Sequence, residues 1–416
     1  MKISIHHPVI HIVLVLSAII GMIPVPCTAA SSDTLISQKG SMMDWTDAHI
    51  DDNLIATYVS SSSPPAIGVH HADGTFYKSI PLTNDATELE SLEISDGSVY
   101  YTEYDTSATM NWRNETVYEY NLATGKKQVI YVTNGPMQRV TKIVADGDHV
   151  VMRGGVDDRK LILYTRSTGS HQIIITSHNN IHGLAIDGDR ILWGCERVDR
   201  EPGREIHIYT ISTGGDYIIP ESKSIRTYGY GDISGDNVAW VISAKEPNYI
   251  NGIPVRSAES YDMRLTNLIS GKTRSVETSQ TAPIEVPFIS GNTMVWVKKP
   301  GVDYNNTDTG TIRTYDITSG TFSNVTSGVA SISDFSNGLI VRHKLKPMSF
   351  WVTSVTGNPA ATLPSTAAVT TTGKGLPGSQ NTPVPESPVG AIVIILAVSV
   401  GILTNILMKR NRARQI

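Results

Sequence analysis

Ile186-Asp187-Gly188-Asp189-Arg190-Ile191-Leu192-Trp193, followed by Ile206-His207-Ile208-Tyr209-Thr210-Ile211-Ser212-Thr213-Gly214, is the stretch whose reading decides the fold. Its first half is a polar hairpin turn running into apolar residues. Gly and Asp accept the positive φ that tight hairpins demand. Its second half alternates apolar and polar residues, as a half-buried strand does, and stops at a Thr-Gly turn. The same two-part phrase occurs seven times. The position of Trp193 is held elsewhere by Thr57, Tyr101, Met152, Trp240, Trp296 and Arg342. The closing glycines are Gly74, Gly125, Gly169, Gly214, Gly271, Gly320 and Gly357. The copies are roughly 40 to 55 residues apart, the spacing of propeller blades.

One copy cannot bury its own apolar face. Packing copies radially, face against face, hides those faces and leaves only short edges. The sequence therefore predicts an all-β protein: a seven-bladed β-propeller of four-stranded antiparallel blades over residues 31–363. A solenoid would need polar capping repeats, and none is seen. Thr34, Leu35, Ile36 and Ser37 read as an outer strand with no blade of its own. The last blade ends in the weak run Ala360 to Leu363, so the N-terminal strand is expected to complete it and close the ring.

The two ends set the expected location. Val9 to Val25 is mostly apolar and leads to Cys27, Thr28, Ala29 and Ala30, so residues 1–30 read as a secretory signal peptide. Its removal leaves Cys195 as the sole thiol, so stability must come from the ring's core rather than from disulfides. Residues 364–388 belong to a Thr/Ser/Pro/Gly-rich stretch that reads as an extended stalk, because it has too little apolar surface to offset its ordering entropy. Val389 to Met408 is an uncharged run of 20 residues, which as a helix spans about 30 Å and matches a hydrocarbon core. Residues 409–416 form a basic tail with Lys409, Arg410, Arg412 and Arg414. Basic flanks stay on the cytoplasmic side, so the expectation is a single-pass membrane protein with an extracellular propeller and a cytoplasmic C-terminus. Asn114, Asn305 and Asn324 sit in glycosylation sequons.

This layout resembles that of archaeal cell-surface proteins with a TolB-like or YVTN-like β-propeller, a Thr/Pro-rich stalk and a C-terminal membrane anchor. Tyr131, Val132, Thr133 and Asn134 spell the YVTN tetrapeptide once, though after the Thr124-Gly125 turn rather than before an Asp-x-x-Thr turn. Pro385, Glu386, Ser387 and Pro388 ahead of the apolar run are similar to an archaeal sorting tail, in which the span is cut and replaced by a lipid. The defining motif of such tails is absent, and plain membrane anchoring stays ahead.

Loops joining second to third strands are long and varied, and all lie on one face of the ring. Asp105 to Thr116 carries Trp112 and Arg113; Gly194 to Glu205 carries Glu196, Arg197, Arg200 and Arg204; Ser243 to Asp262 carries Tyr249, Arg256, Glu259 and Tyr261. Aromatics and arginines on scaffolded loops dominate recognition surfaces, so this face is the expected ligand-binding face. No catalytic residue, cofactor or metal site is expected. His70 and His71 point to opposite faces of a strand, and His178 and His182 lie in a stretch, Ser177 to Gly183, that reads as a loop. Asp303, Asn305 and Thr307 lack the glycine and glutamate of a calcium loop. Trp193, Trp240 and Trp296 read as packing between blades.

The chain carries 34 basic and 39 acidic residues, a formal net charge of −5. With the strongest basic cluster in the tail, a nucleic-acid partner is not expected. The expected function is a membrane-anchored binding, adhesion or envelope-structural module engaging a protein or glycan of the envelope or of a neighbouring cell. The alternative is a secreted propeller enzyme acting on polysaccharide or peptide, with Glu196, Asp199 or Glu259 near the ring mouth. Ionisable groups converging from several blades in a central pocket would favour the alternative.

Overall fold

The computed structural model describes residues 33–38 and 48–355, apart from 61, 107–113, 136, 197–203, 224–230, 251–252, 281, 301–308, 330 and 346–347. Seven four-stranded antiparallel sheets form the blades of a propeller. From inner to outer strand, the first blade is His49–Asp51, Leu54–Val59, Ala66–His71 and Phe76–Pro81. The inner strands of the next six begin at Thr87, Arg139, Ile181, Gly231, Phe288 and Ser331. Six blades are continuous in sequence. The seventh has Ser331–Ser336, Leu339–Leu345 and Met348–Ser354, and its outer strand is Asp33–Gln38 from the other end of the described chain. Thr34 lies opposite Val352 and Leu35 opposite Trp351. The ring closes through the N-terminal strand, as the unassigned run Thr34 to Ser37 predicts.

Burial explains why the ring forms. Among the described residues seven hydrophobic clusters occur, one for each interface between neighbouring blades. Leu192, Ile206 and Ile208 of the fourth blade meet Val238, Trp240 and Ile242 of the fifth, for example. The closing interface joins Ile36, Val341 and Val352 to Ile50 and Ile55 of the first blade. The column read from the sequence at Trp193 is buried in every copy, from Thr57, Tyr101 and Met152 to Trp240 and Trp296, which are fully enclosed. Arg342 holds that position in the seventh blade at 1% exposure.

Polar turns stitch the blades as well. Asp51 Oδ2 accepts the Asp96 amide at 2.7 Å, and Asp96 Oδ2 accepts the Gly147 amide at 2.7 Å. Asp146 then accepts from Gly188 and Asp187 from Gly235. Ser234 Oγ accepts from Gly291 at 3.0 Å, Ser290 Oγ from Asn337 at 3.2 Å, and Asn337 Nδ2 donates to Asp52 Oδ1 at 2.7 Å. One side-chain bond thus crosses every blade boundary on the face of the first-to-second turns. The turn Asp-Gly pairs therefore do two jobs: the glycine takes positive φ, 56° at Gly188, and the aspartate before it caps the next blade's turn.

Two local expectations change. Residues 243–262 are not an irregular loop: Asn237–Ile250 and Ile253–Asn267 form one long hairpin in which Lys245 pairs with Glu259 and Tyr249 with Pro254. The ladder simply continues past the blade. His182 lies in the strand Ile181–Asp187 rather than in a loop. Among the described residues no helix is long and apolar enough to cross a membrane; the signal segment 1–30, the stalk 364–388, the run 389–408 and the tail 409–416 lie outside the described residues.

A candidate binding site in the central channel

The inner strands surround a channel with a cavity of about 560 Å³, lined by residues of all seven blades. Alternation along each strand aims every second side chain into it. Counting back from the first-to-second turns gives two stacked rings. The ring next to the turns is Asp51, Ser95, Asp146, Asp187, Ser234, Ser290 and Ser336, polar in every blade. Two residues further in are His49, Glu93, Val144, Ala185, Asp232, Phe288 and Asp334. Lys142, Arg153 and His343 complete the titratable lining. Six carboxylates therefore face two permanent cations, and the channel is a cation-attracting space.

The carboxylates of the inner ring are not equivalent. Asp232 Oδ2 accepts the Ile289 amide of the next blade at 2.9 Å, and Asp334 Oδ2 accepts the Ile50 amide at 2.9 Å. Each also accepts the amide that follows it, from Ile233 and Phe335. These two hold blades together. Burial nonetheless pushes Asp232 up to about 7, against the pull of its two amide bonds and with the help of negative Asp334 and Asp187. Asp51 in the outer ring is pushed up to about 6, chiefly by burial and then by the crowding of Asp52, Asp96 and Asp146.

Glu93 and Asp334 both face His49. Glu93 Oε2 lies 3.5 Å from His49 Nδ1, which is also 3.4 Å from Asp334 Oδ2. The side chains of His49 and Glu93 are 6% and 12% exposed, so the trio is largely withdrawn from water. Burial raises the Glu93 carboxyl well above the usual carboxylate range, with His49 and Lys142 opposing and Asp334 adding to the shift. The three donor atoms lie within 4.8 Å of one another, an imidazole-carboxylate set able to hold a divalent cation or a ligand's cationic group.

Of the residues expected on the loop face, the described Arg204 and Tyr261 do not line this channel. Trp112, Arg113 and Arg200 lie outside the described residues. Glu196 ends the strand Arg190–Glu196 and pairs with Arg204, which begins Arg204–Thr210 and is half-buried. Tyr249, Arg256 and Glu259 lie on the long hairpin, where only the backbone pairing is described. Tyr261 is buried in the cluster between the fifth and sixth blades. Asn114 and Asn324 are exposed, and Asn305 lies outside the described residues. His49, Glu93, Asp232 and Asp334 escaped the sequence reading. Each stands three residues before its turn, so aligning the seven inner strands on their turns, rather than on the Trp193 column, would have placed them at one position that is polar in four of the seven blades.

No family model matches the chain. No curated protein matches it either. Solved structures match in fold. An oligogalacturonate lyase in complex with manganese shares 11% identity at a TM-score of 0.51, over 78% of this chain and 98% of that one. The β-propeller domain of the Trilobed protease from Pyrococcus furiosus shares 13% identity at 0.47, over 64% of this chain and 82% of that one. TolB from Acinetobacter baumannii shares 12% identity at 0.39, over 73% of this chain and 64% of that one. At 11% identity the likeness to the lyase is one of fold alone, and a fold does not fix a function.

Proposed function

We propose that the chain is an exported, membrane-tethered binding propeller, and that its protein or glycan ligand inserts a cationic or polyhydroxylated group into the turn-side mouth of the channel. The observation that carries this is that the acceptors lining the cavity, among them Asp51, Ser234, Asp232 and Asp334, are held in place by backbone amides of neighbouring blades, as a preformed binding ring would be. A ring of carboxylates and serine hydroxyls offers acceptors to ammonium, guanidinium and sugar hydroxyl groups. Export and tethering rest on the sequence of residues 1–30 and 364–416.

Convergence of titratable side chains on the same cavity gives the enzymatic reading its specific support. Glu93, with a raised carboxyl facing His49, has the makings of an acid-base pair. Binding takes precedence because Asp232 and Asp334 each accept a backbone amide of the neighbouring blade, which ties these carboxyl groups to holding blades together. The test is to screen the full-length protein on glycan and envelope-protein arrays while assaying polysaccharide and peptide turnover. Saturable binding without turnover supports the binding reading. Turnover that disappears in Glu93→Gln replaces it with the enzymatic one.

A further inference from the structure

A second cluster, outside the channel, lies across three strands of the fourth blade. Cys195 pairs with Glu205 in register and Trp193 with His207, so these side chains share one face of the sheet. Cys195 Sγ is 3.6 Å from His207 Nε2, and Glu205 Oε2 is 3.6 Å from the same nitrogen. The other imidazole nitrogen, Nδ1, is 2.8 Å from Asp216 Oδ2. The Trp193 indole stacks on the imidazole at 4.0 Å and 24°, and its Nε1 donates to Asp216 Oδ1 at 3.2 Å. Cys195 and His207 are buried, while the Glu205 side chain keeps 23% of its exposure.

We propose that Cys195, Glu205 and His207 form a zinc-type metal site, with Asp216 orienting the histidine. Three observations carry this independently of the channel. The donor set is thiolate, imidazole and carboxylate, the ligands zinc takes. The separations suit one shared ion: Zn–S of about 2.3 Å and Zn–N of about 2.0–2.1 Å at a tetrahedral angle place sulfur and nitrogen about 3.6 Å apart. Finally, a carboxylate on the far nitrogen of a histidine is the usual outer partner of a metal-bound imidazole, fixing which nitrogen faces the ion. Asp216 and the Trp193 stack point Nε2 at the sulfur and the Glu205 oxygen. Binding releases the Cys195 proton to solvent, so affinity rises with pH. Three protein ligands leave a fourth position for water or for a donor atom from a bound molecule.

The experiment uses full-length protein in detergent, freed of metal and titrated with cobalt(II). The expected result is a thiolate-to-cobalt charge-transfer band and tetrahedral ligand-field bands saturating at one equivalent, erased by zinc. Cys195→Ala loses the charge-transfer band, and Asp216→Asn weakens binding by about 10- to 100-fold. Because Cys195→Ala alters a packed core, Glu205→Gln supplies a milder variant. Zinc should raise the Tm of the unaltered protein and of Glu93→Gln, and raise that of Glu205→Gln much less. Absence of the charge-transfer band in unaltered protein, or a zinc-induced rise in Tm that Glu205→Gln leaves intact, overturns the proposal.

Discussion

Arg342 Nη2 donates to Asp33 Oδ2 at 2.6 Å across 309 residues of sequence, and this bond ties the N-terminal strand to the blade it completes. Arg342 Nε also donates to Thr353 Oγ1, whose own hydroxyl donates to Asp33 Oδ1 at 2.7 Å. The guanidinium stands where other blades place a tryptophan, a methionine or a tyrosine, with its face over Trp351 at 5.6 Å. A charge in that column makes the closing strand the counter-ion of the last blade.

Removing the counter-ion therefore weakens closure. Asp33→Ala should cost about 1.5–3 kcal/mol, the range for hydrogen bonds to charged groups. Because a buried charge left alone is worse than none, adding Arg342→Met to that variant should restore part of the loss. Urea denaturation of the three proteins checks both statements; a double variant less stable than Asp33→Ala contradicts the second.

The tryptophan column makes a separate prediction about packing. Trp240 is fully buried between the fourth and fifth blades, and its Nε1 donates to Thr266 Oγ1 at 2.9 Å. Trp240→Ala should destabilise by about 3–5 kcal/mol through the cavity it leaves. Trp240→Phe should cost less, since it keeps most of the volume. Thermal unfolding monitored by circular dichroism measures the order.

Channel carboxylates also set an unusual pH dependence. Asp51 and Asp232 rise from 3.8 to about 6 and about 7 on folding, so between those values the folded state holds more protons than the unfolded chain. By linkage their contribution falls as pH rises from about 4 to about 7 and is level above that. Asp73, Asp148 and Asp316 are lowered by hydrogen bonds to neighbouring Thr and Ser residues, and their contribution is lost only at more acid pH. Stability should thus decline from pH 5 to about pH 7 and level off above it, and Asp232→Asn should flatten the decline. Chemical denaturation across that range reads the slope; an incline that Asp232→Asn leaves unchanged contradicts the assignment.

Much of the ring was legible because its cause is local and repeated. Turn glycines and alternating strands recur with each blade, and an unclaimed strand at Thr34 to Ser37 signalled closure. Ladder continuation in 237–267 was less legible, since Pro247 and Pro254 lack the amide a ladder uses, while the pairing of Lys245 with Glu259 and Tyr249 with Pro254 carries the hairpin on. The channel was hidden for a different reason. His49, Glu93 and Asp334 lie far apart in sequence and meet only after seven blades close, and no local pattern announces a contact made through the ring's centre. Cys195, Glu205, His207 and Asp216 lie within one blade, yet their shared face depends on a register that the sequence of 190–218 leaves unstated.

The central claim, that ligand enters the channel, is tested most directly by comparing full-length protein with Glu93→Gln and His49→Ala on the same glycan and envelope-protein arrays. The account predicts that both variants keep the propeller's circular dichroism and lose binding to the ligand that the unaltered protein captures, without any change in their tethered state. Undiminished binding by both folded variants would contradict it and return recognition to the loop face around Arg204 and the long hairpin.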